Sequence, residues 1–150
     1  MTIRTIVAVF PNANSAYDAA GAIRKLKDSK EVDFSLKAGA MFRKDDNGNI
    51  IRMEEKDRPL WGTLAGGVAG ALIGFIAGPA GAAAGAAVGA TGGLVVDAIG
   101  LSFDTDFAGT VATRVKPGET AVVVEADEGS TRPVDDAVRV NGGRVYRSNG

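Results

Sequence analysis

Asp97, Asp104 and Asp106 form an acidic cluster at the exit of a long uncharged stretch, and carboxylates so placed suit a hard divalent cation or a partner's arginine. Asp104 and Asp106 also introduce an apolar run of helical period. A carboxylate there meets free helix amides and the positive end of the helix dipole, so capping is the stronger reading and no metal site is expected. Asp45-Asp46-Asn47-Gly48-Asn49 has the oxygen density of a calcium loop. It lacks a bidentate Glu at the required distance and lies between strand-like runs, which makes it a hairpin turn. Lys56 and Arg58 stand where anionic lipid head groups would attract them by about 1 kcal/mol each. Glu54, Glu55 and Asp57 dilute that attraction, and plain solvation of these charges is the stronger reading. The many glycines spell neither Gly-x-Gly-x-x-Gly nor Gly-x-x-x-x-Gly-Lys-Ser/Thr, so no nucleotide cofactor is expected.

The rest of the composition narrows the chemistry further. The chain has 150 residues, 17 Lys+Arg, 18 Asp+Glu, no His and no Cys. It therefore offers no thiolate nucleophile, disulfide, Cys/His zinc site or imidazole base, and an enzyme is not expected. A pI near 5.4 gives no overall attraction to nucleic acid. Gly is abundant at 21 residues, and its placement divides the chain. Residues 1–59 and 102–150 mix both charges with apolar residues. Residues 60–101 contain one ionisable side chain, Asp97.

The two flanks read as one split domain. Ile3 to Phe10 is a β-branched strand, followed by a turn in which Asn14 or Ser15 caps a helix running to about Ser29. Ala16, Ala19, Ala20, Ile23 and Leu26 form its buried stripe. Phe34 to Arg43 and Ile50 to Glu54 are strands joined by the Asn47-Gly48 turn. After the middle segment, a short helix runs from Asp104 or Thr105 to about Val115, and Lys116-Pro117-Gly118-Glu119 turns into a strand from Thr120 to Ala126. A last helix, Arg132 to Val140, has Pro133 in its first turn and Gly142-Gly143 at its end, before a strand at 144–147. The pattern predicts an α+β fold, a ferredoxin-like sandwich with its helices on one face of a mostly antiparallel sheet. The chain start lacks a signal-peptide pattern, so the flanks are expected to stay in the cytoplasm.

The middle reads as a glycine-zipper helical hairpin. Gly62, Gly66, Gly70, Gly74 and Gly78 fall at four-residue steps, and Gly81, Gly85, Gly89 and Gly93 form a second series. Four residues is nearly one helical turn, so each series makes a groove in which a second helix packs at backbone distance. Gly78-Pro79 interrupts them and marks the hairpin turn. Each arm reaches roughly 26 Å, enough to cross a hydrocarbon core with some local thinning. Leu64, Leu72, Ile73, Phe75 and Ile76 make the first arm strongly apolar, with Trp61, Lys56 and Arg58 as interfacial anchors. The second arm, from Ala80 to Gly93, is only weakly apolar and needs its partner. Membrane insertion and a soluble core shared among several copies both satisfy this pattern.

Leu60-Trp61-Gly62-Thr63-Leu64-Ala65-Gly66-Gly67, the zipper, Asp104-Thr105-Asp106-Phe107, Lys116-Pro117-Gly118-Glu119-Thr120-Ala121 and Gly142-Gly143-Arg144-Val145 span most of the chain. Through them it resembles a bacterial family, domain of unknown function 1269, of predicted membrane proteins. The resemblance implies an α/β domain interrupted by a Gly/Ala-rich hydrophobic segment, a membrane association and, for some members, a link to stress. It brings no catalytic residue. The expected organisation is β-α-β-β over 1–59, the hairpin over 60–101 and α-β-α-β over 102–150. The expected function is a non-enzymatic protein that self-assembles through its hairpin and lies in the cytoplasmic membrane with both flanks cytoplasmic. Its partners would be further copies and the lipid bilayer, without nucleic acid. The alternatives are a soluble cytoplasmic homo-oligomeric scaffold, and a lipid or small-molecule binding module.

Overall fold

A computed structural model describes residues 3–53 and 105–148, and they form an α+β domain. Its elements run β1 (Ile3–Phe10), α1 (Ala13–Leu26), β2 (Phe34–Lys44), β3 (Ile50–Met53), α2 (Thr105–Arg114), β4 (Thr120–Glu128), α3 (Arg132–Val140) and β5 (Arg144–Arg147). The strands make one five-stranded sheet in the order β3-β2-β4-β1-β5, and all its pairings are antiparallel. β4 is the central strand. It aligns Val123 with Val7 on β1 and with Ala40 on β2, and a bulge between Leu36 and Ala38 absorbs the extra residue Lys37.

The alternation of strand side chains divides the core between the two faces of the sheet. On the first face, Ile6, Ala8, Phe10, Met41, Val122 and Val124 pack against Ala16, Ala19, Ala20 and Ile23 of α1 and Val134 and Val138 of α3. On the second, Val7, Val9, Ala40, Phe42, Ala121 and Val123 pack against Ala108, Val111 and Val115, on α2 and just beyond its end. This corrects the expectation that the helices share one face: α1 and α3 do, while α2 covers the other. The physical reason lies in β4, whose run from Thr120 to Val124 is buried throughout and needs a cover on both sides.

Local signals account for the element ends. Asn12, rather than Asn14 or Ser15, caps α1, because Asn12 is extended and its Oδ1 accepts the Ser15 amide at 2.8 Å. The last turn of α1 tightens, with the amides of Lys27, Asp28 and Ser29 each donating to a carbonyl three residues back. At the end of α3, Gly142 has φ +78°, its amide reaches Arg139 O at 3.0 Å, and Gly143 N reaches Val138 O at 2.9 Å. These are the paired bonds of a Schellman cap. The next strand then starts within two residues, and β5 lies along the edge of β1.

Candidate functional site: the polar clamp at helix α2

The chain re-enters the described domain at Thr105, the first residue of α2, so this helix is the first element after residues 54–104 to pack on the sheet among the described residues. α2 ends against Lys116-Pro117-Gly118-Glu119, a turn closed by the Glu119 amide donating to Lys116 O at 3.0 Å, with Gly118 at φ +88°. That turn is paired to the end of β2: Gly118 N donates to Lys44 O at 2.7 Å, and Lys44 N to Glu119 O at 3.0 Å.

Arg144 closes the clamp from the opposite edge of the sheet. Its guanidinium makes a bidentate pair with Glu119, Nη1 to Oε2 at 3.1 Å and Nη2 to Oε1 at 3.0 Å. Nη2 also donates to the Arg114 carbonyl at 3.1 Å, and Nε to the Tyr146 hydroxyl at 3.2 Å. Lys44 adds a second cation, its Nζ donating to Val115 O at 3.2 Å. Cations at a helix C-terminus satisfy carbonyls that have no partner within the helix and oppose the negative end of its dipole. Burial pushes the Glu119 carboxyl up, but the Arg144 hydrogen bonds, the Lys116 amide and the nearby cations outweigh it, and the net shift is downward. Hydrogen bonds from Arg144 to Glu119 and Tyr146 hold that guanidinium even more firmly in its charged form.

A second arginine locks the other end of the same edge. Arg147 is bidentate to Glu128 at 2.9 and 3.0 Å, lies 2.8 Å from Asp135 and donates to Thr131 O at 3.3 Å, so it joins β5, the end of β4 and the start of α3. Burial works against its charge, and hydrogen bonds to Glu128 and Asp135 more than compensate. Both clusters pair opposite charges directly, and their chemical capacity is to hold elements together.

Asp45-Asp46-Asn47-Gly48-Asn49 is the expected hairpin turn: Asp45 Oδ1 accepts the amides of Asn47 and Asn49 at 3.0 and 2.8 Å, and Gly48 has φ +85°. Asp106 lies exposed in the first turn of α2. Among the described residues no group of three or more acidic, His or Cys side chains is placed to hold a metal ion, and no helix is long and apolar enough to cross a membrane. Asp97, Asp104, the anchors Lys56, Arg58 and Trp61, the turn Gly78-Pro79 and the nine zipper glycines from Gly62 to Gly93 lie outside the described residues. Sequence reasoning missed Arg144, Glu119, Arg147 and Glu128. A signal was present, because Glu119 and Arg144 each sit in one of the two motifs flanking α3, and folding brings those motifs together.

Residues 60–149 match the model of the family described as protein of unknown function DUF1269, and the chain belongs to that family. The match covers α2, β4, α3 and β5 and therefore contains both halves of the Arg144–Glu119 pair. No curated protein and no solved structure matches the chain.

Proposed function

We propose that this chain is a non-enzymatic, membrane-associated protein that self-assembles through a glycine-zipper hairpin at 60–101, carried as an insert in a split ferredoxin-like sandwich. The observation that carries the reading is the stretch from Leu60 to Val96, which has no ionisable side chain and two glycine series at four-residue steps. In a helix, each interior Gly costs about 1 kcal/mol against Ala, so such a series is kept only where close helix contacts return that energy. The order β5-β1-β4-β2, with α1 and α3 on one face, supports the sandwich, and β3 then extends its edge. Two crossings return the chain to its side of origin, so in this reading both flanks lie together, on the cytoplasmic face of the cytoplasmic membrane.

Flotation of alkali-washed membranes through a density gradient tests insertion, with the full-length protein expected to rise with lipid. Chemical cross-linking then tests assembly: Gly70→Leu with Gly74→Leu is expected to dissolve the oligomer, and Thr63→Ala to leave it intact. An assembly unaltered by the double substitution refutes the zipper. A second reading draws on the weakly apolar second arm, Ala80 to Gly93. In it the hairpins of several copies form a common core in water, and the protein stays in the clear soluble fraction.

A further inference from the structure

We propose that α2 opens from the sheet as a separate unit and that Arg144 is the latch holding it shut. The helix is a weak one taken alone. Thr105, Gly109, Thr110, Val111 and Thr113 are poor helix formers within its span of 10 residues, and a helix of that length is marginal in water without a surface to dock on. Its docking surface is the layer of Val7, Val9, Phe42 and Val123, which it meets through the buried small side chains Ala108 and Val111 and the partly buried Phe107, with Val115 just after its end. The polar ties described above grip the Arg114 and Val115 carbonyls, at the C-terminal end. They come from two strands, β2 and β5, that lie on opposite sides of the β4–β1 pair. The polar ties thus gather at the end beside the Pro117-Gly118 turn, while the opposite end, where Phe107 packs against the same layer, continues in sequence into residue 104.

This arrangement makes α2 the coupling element between the inserted segment and the second face of the sheet. Undocking uncovers the valine layer and removes the helix at one stroke, because the helix does not persist alone. Fastening it again requires Arg144, held in place by Glu119, to regain the Arg114 carbonyl. The inference holds whether the inserted segment enters a bilayer or a core of other copies.

Hydrogen–deuterium exchange on the full-length protein tests it. Amides of 109–115 are expected to exchange at least about tenfold faster than those of Val122, Val123 and Val124, as a sub-global opening requires. Arg144→Ala is expected to raise the α2 rates by a further factor of about three to ten while β4 stays within about twofold, the size of a half-exposed charge-assisted tie. Arg144→Lys, which keeps the charge and loses the bidentate fork, is expected to fall between. Arg139→Ala, which removes an exposed pair with Asp136 on α3, is expected to change neither. Equal exchange of α2 and β4 in the unaltered protein overturns the separate opening. An α2 rate untouched by Arg144→Ala, or a parallel rise in β4, overturns the latch. Should Arg144→Ala not fold, the Arg144→Lys variant and the unaltered protein carry the same comparisons.

Discussion

Gly143 and Gly142 are neighbours at the end of α3 with opposite reasons for being glycine, and substituting each by alanine separates packing from backbone strain. A Cβ on Gly143 would lie 2.5 Å from Phe10 Cε1, 2.7 Å from Phe10 Cδ1 and 2.8 Å from Val138 Cγ1. Phe10 and Val138 are 0% and 1% exposed, so neither has open space to move into. Ordinary contact between such carbons is about 3.5–4 Å, so relief takes a shift of about 1 Å through the first-face core. Overpacking of this kind costs about 1–3 kcal/mol, and the double clash with two buried side chains places Gly143→Ala at the upper end. Gly142 has φ +78° with nothing within 4 Å of its Cβ position, so Gly142→Ala meets only left-handed strain of about 1 kcal/mol. Gly21, inside α1, also has nothing within 4 Å and no positive φ, and there Ala is expected to stabilise by about 0.5–1 kcal/mol. Urea unfolding of the three variants, followed by far-UV circular dichroism, should therefore rank Gly21→Ala above the unaltered protein, Gly142→Ala below it and Gly143→Ala lowest. If Gly143→Ala matches Gly142→Ala, the Phe10 ring yields at little cost and the close-packed account of this corner is wrong.

Thr120 is fully buried, and its hydroxyl has no hydrogen-bond partner among the described residues, so Thr120→Val is expected to raise stability by about 1 kcal/mol in the same urea assay. Arg147→Met leaves the Glu128 carboxylate, 4% exposed, without its bidentate partner and is expected to lower stability by about 3 kcal/mol, read from the shift in urea midpoint. The Glu119 carboxyl is held below its ordinary range when folded, so its contribution is present above the unfolded value and is lost as pH falls through the folded one. Stability of the unaltered protein should thus decline on the acid side of the usual carboxylate range. Glu119→Gln should flatten that decline while costing about 1 kcal/mol at neutral pH.

Much of the fold is legible in local sequence because local physics decides it. Asn47-Gly48, Pro133 and Gly142-Gly143 each fix a cap or a turn within a few residues, and the elements between them follow from apolar spacing, whereas Asn12, Asn14 and Ser15 all offer a cap to α1 and only the extended backbone at Asn12 selects one. The face chosen by α2 is set by something less local. Thr120 to Val124 does not alternate, and a non-alternating strand is buried on both sides, which calls for a helix on the second face. The Arg144–Glu119 and Arg147–Glu128 pairs are harder to read. Each joins residues 25 or 19 positions apart that become neighbours only once β5 has docked beside β1. A charged residue in a short edge strand looks like ordinary edge protection until its partner's position is known.

The strand order also says why a long insert is tolerated where it stands. β1, β2 and β3 come from the chain before residue 54, β4 and β5 from the chain after residue 104, and β4 lies between β2 and β1. Without β4 the first part has a β2–β3 hairpin and a separate β1, neither of which covers α1. The two parts must therefore fold as one sheet, and closing the loop that joins them costs about 3–4 kcal/mol by chain entropy, rising only about 0.6 kcal/mol for each doubling of length. A strand buried on both faces and paired along its length on both sides readily offsets a term of that size. Length and composition between β3 and α2 are thus nearly free as far as the sheet is concerned. The sheet makes no demand for glycine at four-residue steps or for the absence of charge, so those features answer to whatever the segment itself packs against. The described residues that adjoin it in sequence are the end of the edge strand β3 and the first turn of α2, and α2 is the one whose far end is tied to the sheet by the Arg144 and Lys44 side chains.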